Sequence, residues 1–235
     1  MSLSIDPTRR MRAAVWHGRH DIRVEDVPLP VSPPAGWVQI RVQWCGICGS
    51  DLHEYVAGPV FIPVDAPHPL TGIKGQCILG HEFCGEIVEI GAGIEGFSVG
   101  EPVAADACQH CGTCYYCTHG LYNICENLAF TGLMNNGAFA ELVNVPANLL
   151  YKLPANFPAE AGALIEPLAV GMHAVKKAGE CAGEKCGGGW RGNHRPVHHH
   201  VCQGCWCGPG HRPGNVWSAQ GQGTGGWGEP CAGPQ

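Results

Sequence analysis

The chain has 235 residues, a hydrophobic fraction of 45% and a formal net charge of −6, enough apolar material for a real core. Acidic balance without a clustered basic segment excludes a protein built to neutralise nucleic-acid phosphates. No stretch approaches the roughly 18 consecutive apolar residues of a membrane span, and Met1–Val15 carries no apolar export core, so the expected location is the cytoplasm, with neither membrane nor nucleic acid as partner.

From Arg12 to Ile94 short β-branched runs alternate with Gly and Pro, as in Trp37–Gln43 and Glu86–Ile90, which predicts a β-rich, barrel-like region. Gly96–Ala104 reads as a turn into another strand, a cysteine-rich lobe follows, and Gly137–Val145 resumes sheet. Ala159–Lys177, rich in Ala, Leu and Val, predicts a helix. The expected fold is mainly β with some α. Its divisions are a β-rich domain over 11–158 with a cysteine-rich lobe at 108–125, a connection over 159–179, and a tail over 180–235.

The tail departs from the rest. Its 56 residues include 15 Gly but no Ile, Leu, Phe, Met or Tyr, so no aliphatic core forms there. One reading is a low-complexity, disordered segment. A metal site at His198–His200 is another. The third is a shifted reading frame of a dinucleotide-binding domain. Reverse translation of Gly187–Pro196, read one base forward, permits Val-Val-Val-Gly-Ala-Gly-Thr-Ile-Gly, a strand followed by the glycine fingerprint that admits a pyrophosphate. The codons of Gly214 and Asn215 permit Glu near the offset of a ribose-binding acid. The shifted frame is the expectation adopted.

Fifteen cysteines without an export signal read as metal ligands in a reducing compartment rather than as disulfides. Cys111, Cys114, Cys117 and Cys125 are spaced for one closed, tetrahedral zinc. Cys45, at the end of an apolar strand and followed by a Gly-rich turn, and Gly80-His81-Glu82 offer sulfur, nitrogen and oxygen to a second zinc with an open position, with Glu82 at or beside the metal. The bland alternatives are a core thiol for Cys45 and a buried histidine–carboxylate pair for His81. Glu166, a carboxylate inside the apolar run Ala163–Ala169, is the third ligand or else a solvent-facing helix start. Cys48, Cys77, Cys84 and Cys108 read as small core or loop thiols.

Cys45-Gly-Ile-Cys-Gly-Ser50-Asp-Leu-His53, Gly80-His81-Glu82, the four-cysteine lobe and Glu166-Pro-Leu-Ala together resemble the zinc-dependent medium-chain alcohol dehydrogenases, and within them the butanediol and sorbitol dehydrogenase branch. His68-Pro-Leu-Thr-Gly72 is similar to the butanediol side of that branch. The resemblance runs from Met11 to about Gly179 and implies a GroES-like barrel. It implies catalytic zinc on Cys45, His81 and Glu166, structural zinc on the lobe, and NAD as cofactor. A small alcohol or ketone is the implied substrate, and the full-length family is expected to form homo-oligomers. Ser50 and His53 are implied proton carriers, with a turn cap and a surface histidine as the plain alternatives. The coenzyme domain that the family requires is not present in readable form, so this chain is expected neither to bind NAD nor to turn over. A non-enzymatic zinc module is the main rival, and a zinc-free quinone reductase a weaker one.

Resequencing the coding DNA across Gly179 tests the reading of the tail. A single-base shift there is expected to restore a long open frame containing the glycine fingerprint, and an uninterrupted frame with no such alternative would remove the idea.

Overall fold

Alternation of apolar and polar residues in the N-terminal strand sets the architecture, because Met11, Ala13 and Val15 point inward while their neighbours Arg10 and Arg12 stay exposed. The computed structural model of the chain describes residues 9–178, so the three readings of the tail lie outside the described residues. Strand β1 (Arg10–Gly18) pairs antiparallel with β2 (Asp21–Pro28) and, on its other side, with the short β4 (Cys77–Ile78). A second sheet takes the order β10-β6-β5-β3-β9. Its strands are β3 (Trp37–Gly46), β5 (Glu82–Ile90), β6 (Pro102–Ala105), β9 (Leu142–Pro146) and β10 (Leu150–Lys152). A small β7 (Cys108–Gln109) pairs with β8 (Ala129–Phe130) at the base of the cysteine lobe. The described residues are therefore mostly β with few helices.

The main core lies under the second sheet, where Val38, Ile40, Phe83, Ile87, Val103, Val143 and Val145 pack with almost no exposure. Each such side chain contributes roughly 1.5–3 kcal/mol of burial. The β3–β5 register matters most for function. Pairing Cys45 with Phe83 and Gly46 with Glu82 brings the exit of β3 beside the entry of β5. Glu82 can approach because residue 46 has no side chain: a Cβ there would lie 2.4 Å from Glu82 Oε2.

Three sequence expectations differ in detail. The segment after Cys45, read as a Gly-rich turn, forms helix α1 (Gly49–Ala57), whose first turn is closed by Asp51 Oδ2 accepting the Cys48 backbone N–H at 2.9 Å. Residues 137–139 run beside 78–80 through Gly137 N–H to Ile78 O and Phe139 N–H to Leu79 O, both at 2.8 Å, and regular sheet begins only at Leu142. The single helix expected over 159–177 is two, α3 (Ala159–Gly162) and α4 (Ile165–Ala178). They break where Gly162 presses on Cys84, and Pro167 sits in the first turn of α4, where its missing N–H costs nothing. Between β7 and β8 the lobe carries α2 (Tyr115–Thr118) and a 3₁₀ turn at Tyr122–Ile124.

Immediately before His81 the backbone is packed against itself. Gly80 and Gly132 adopt φ of +94° and +81°, and a Cβ on Gly132 would fall 2.4 Å from the Gly80 carbonyl oxygen. Both the left-handed conformation and the contact exclude a side chain. Gly132→Ala is expected to cost at least about 2 kcal/mol, seen as a lowered urea midpoint of the zinc-loaded chain at unchanged slope. An unchanged midpoint would show that this contact is not tight.

Candidate metal centres

The cysteine lobe brings its four sulfurs together as the spacing predicts. The Sγ atoms of Cys111, Cys114, Cys117 and Cys125 all lie within 4.8 Å of one another. A tetrahedral zinc with bonds of about 2.3 Å requires sulfur–sulfur edges of about 3.8 Å. The Cys111–Cys125, Cys114–Cys125 and Cys111–Cys117 separations are 3.5, 3.8 and 4.0 Å, so the set fits the ion. Backbone N–H groups also point at the sulfurs: Cys111 and Asn127 donate to Cys125 Sγ at 3.4 and 3.3 Å, and Cys114 donates to Cys111 Sγ at 3.4 Å. Donors from the Thr113 backbone, then its hydroxyl, hold the Cys111 thiol down to about 6, while desolvation pushes Cys117 up to about 12. Cys108 stays outside the cluster, its N–H bonded to Asp106 Oδ1 at 2.8 Å.

The second centre forms where the exits of β3 and β4 meet the first turn of α1. Here the compact donor set is Cys48, His81 and Glu82, all buried and with ligand atoms within 4.8 Å. Cys45, the thiol expected from the sequence, is not a member of this set. The reason is orientation. Cys45 lies on β3 and packs against the core around Phe83, which raises its thiol pKa chiefly by desolvation. Cys48 lies three residues later, at the N-cap of α1, where the chain has turned toward His81. Cys48, read from the sequence as a small core or loop thiol, is thus the thiol that the structure groups with His81 and Glu82.

His81 is held from both ends. Its Nδ1 faces Asp51 Oδ1 at 3.7 Å, and Ser50 Oγ lies 3.2 Å from Nε2. At 3.7 Å the carboxylate acts on the ring as a nearby negative charge rather than through a hydrogen bond. Asp51 also takes backbone N–H groups from Cys48 and Gly80, which staples α1 to the segment that delivers the histidine. Burial outweighs those bonds and lifts Asp51 to about 6. Sequence reading missed Asp51. Its signal was an acid three residues after the helix N-cap, obscured because the helix itself was not foreseen.

Glu166, at the start of α4, is half-buried and does not join the three-residue set. It does face it. Desolvation, then Glu82, Asp106 and Asp51, push the Glu166 carboxyl up to about 8. His53 is exposed on α1, three residues beyond Ser50. Crowded carboxylates with a thiol and an imidazole, all drawn from water, form a donor set suited to a borderline-soft dication, and zinc fits it.

Comparison with known proteins agrees with this chemistry. The Alcohol dehydrogenase GroES-like domain family matches residues 34–155. The (R,R)-butanediol dehydrogenase of Bacillus subtilis strain 168 is 48% identical over 179 residues, which is 74% of this chain and 49% of that protein. The crystal structure of 2R,3R-butanediol dehydrogenase from Bacillus subtilis superposes with a TM-score of 0.71 at 42% identity, covering 83% of this chain and 55% of that one. A zinc-binding dehydrogenase of Sinorhizobium meliloti 1021 bound to NADP superposes with a TM-score of 0.66 at 32% identity, covering 76% of this chain and 48% of that one. The chain thus spans about half the length of the curated relatives it matches. Among the described residues no helix is long and apolar enough to cross a membrane.

The crowding of Glu166 and Asp51 has a measurable sign. Both carboxyls sit above their ordinary values of 4.5 and 3.8. The metal-free folded chain therefore keeps protons that the unfolded chain has released. Their contribution to stability is fully present below about pH 4 and is lost as pH rises through about 6 and then about 8. The urea midpoint of chelator-treated protein is expected to fall between about pH 5 and about pH 8, and less so in Glu166→Gln, whereas zinc loading removes most of the fall. A chelated chain equally stable at both values would refute the crowding.

Proposed function

The chain belongs to the Alcohol dehydrogenase GroES-like domain family, and we propose that it supplies the zinc-binding catalytic half of an oxidoreductase acting on secondary alcohols or diols, of the butanediol-to-acetoin kind. The observation that carries the reading is the convergence of Cys48, His81 and Glu82 beside a separate four-sulfur lobe. A non-catalytic zinc module needs only the lobe. Cys48, His81 and Glu82 would hold the catalytic zinc, with Glu166 on the facing helix, and Cys111, Cys114, Cys117 and Cys125 the structural one. Residues 11–158 are taken as the catalytic domain and 159–179 as the start of its connection to a coenzyme domain.

Zinc in the mixed-donor site supplies Lewis acidity that lowers the pKa of an alcohol hydroxyl. The remaining work falls to the chain and to a nicotinamide. Asp51 keeps a negative charge behind the His81 ring and ties α1 to the segment before it through the Cys48 N–H, which would help the donor set keep its orientation. Ser50, beside His81 Nε2, is placed to take the substrate hydroxyl proton, and His53, three residues on along the same face of α1, to pass it to solvent. A bound nicotinamide would accept the hydride from the carbinol carbon as the hydroxyl proton departs, which would turn the alcohol into a ketone. NAD is the proposed carrier, and its seat lies outside the residues described. The composition of residues 180–235 supports no core for such a seat, so the 235-residue chain alone is expected to give no NADH-linked turnover of acetoin.

Metal analysis and a chimera test the proposal. The purified chain is expected to hold two zinc ions. Cys48→Ser or His81→Ala should leave one, Cys125→Ser should also leave one, and Cys45→Ser should keep both. Residues 1–178 joined to the C-terminal half of the Bacillus subtilis relative should reduce acetoin with NADH, and His81→Ala should lower that rate at least ~100-fold. One zinc per wild-type chain, or a chimera indifferent to His81, would overturn the reading.

A further inference from the structure

We propose that Glu54 is a positioning residue for the mixed-donor centre, locking the helix that carries Cys48, Ser50 and Asp51 to the strand pair that delivers His81. The inference rests on the reading of that centre as a zinc site. Glu54 is completely buried, an expensive place for a carboxyl group unless its oxygens are fully bonded. They are. One oxygen accepts the backbone N–H groups of Val60 at 3.2 Å, Ile62 at 3.1 Å and Phe61, and the other accepts Val60 at 3.0 Å. A single side chain thereby folds the segment after α1 back onto the helix.

The backbone of the same residue makes the second tie. Glu54 O accepts the Trp16 indole N–H at 2.9 Å and the Gly58 N–H at 3.1 Å. Trp16 is buried on β1 directly opposite Cys77 of β4, and three residues beyond Cys77 the chain reaches Gly80 and then His81. The imidazole is thus delivered by β4 and the thiolate by α1, and the Glu54–Trp16 bond joins the two elements. The next two carbonyls of the helix are also occupied: Tyr55 O by the His20 N–H at 2.7 Å and Val56 O by the Arg19 guanidinium at 2.8 Å. With its C-terminal end docked on the β1–β2 turn, α1 has one orientation, and its first turn points Cys48 and Asp51 at His81.

Glu54→Gln keeps the shape but turns an NH₂ group onto a row of N–H donors, so at least one bond must be lost and the helix end released. Titration of the 235-residue chain with Co²⁺, read by thiolate-to-metal charge transfer and visible ligand-field bands, separates the one-sulfur centre from the four-sulfur lobe. Wild type should take up two ions. Glu54→Gln should weaken the one-sulfur centre about 10- to 100-fold and leave the lobe at wild-type affinity. Trp16→Phe, which removes the indole donor and keeps a ring, should weaken the same centre selectively but less.

Wild-type affinity at both centres in Glu54→Gln, or equal loss at both, would overturn the positioning role. If Glu54→Gln does not fold, Trp16→Phe decides alone: selective weakening supports the role and unchanged binding refutes it. A wild-type chain that takes cobalt only in the lobe would refute the zinc reading itself, and the inference with it.

Discussion

Negative and electron-rich groups crowded out of water are the constraint around which this chain is built. The ligand atoms of Cys48, His81 and Glu82 lie within 4.8 Å of one another, Asp51 is buried behind the imidazole, and Glu166 faces them from α4. In isolation each burial is unfavourable, and proximity makes the carboxylates worse neighbours. The pushing of Glu166 to about 8 expresses that cost in the metal-free chain. A divalent cation reverses the sign of every one of these interactions at once, because a charge inserted among the donors turns repulsion into coordination. The fold therefore has to hold these groups in place against their own repulsion.

It does so with backbone rather than with long side chains. The β3–β5 register sets Gly46 against Glu82, and the missing side chain gives the carboxylate its room. Gly80 and Gly132 touch backbone to backbone just upstream of His81, so the imidazole leaves a segment with no slack. Asp51 then spans the gap between α1 and that segment by accepting N–H groups from Cys48 and Gly80 while facing His81 Nδ1. Rigid elements meeting at their ends position ligands better than a mobile loop, which is why a barrel of short strands can support a metal centre at its rim.

How much of this could be read from residues alone depends on where the information sits. The four-cysteine lobe was legible because its spacing is local: a turn brings neighbouring thiols together wherever it lies in the fold. The main strands were legible from alternation, as at Trp37–Gln43 and Glu86–Ile90. Which thiol joins His81 and Glu82 was not. Cys45 and Cys48 are separated by two residues, and which one faces His81 depends on whether the chain continues as strand or turns into helix at Gly46. Gly46, Gly49 and Ser50 argued locally for a turn, and the tertiary bonds of Glu54 and Asp51 override that preference. Those partners come from Trp16, Val60 and Ile62 by sequence-distant or loop contacts that no period reports.

The two centres are not independent objects on the surface of a barrel. The 3₁₀ turn that ends at Ile124, one residue before Cys125, places the Tyr122 hydroxyl 3.1 Å from Asp106 Oδ2, to which it donates. Asp106 Oδ1 in turn fixes the Cys108 N–H at the start of β7, and Asp106 is among the charges that act on Glu166. The His110 ring packs against the Tyr122 ring at a 34° tilt, 4.8 Å between centroids, and closes the same wall. A lobe clamped by four sulfurs thus braces, through one phenol and one carboxylate, the side of the cleft that faces α4. On the proposed reading, an ion in the lobe would need no chemistry of its own, because the lobe fixes the wall beside the mixed-donor set.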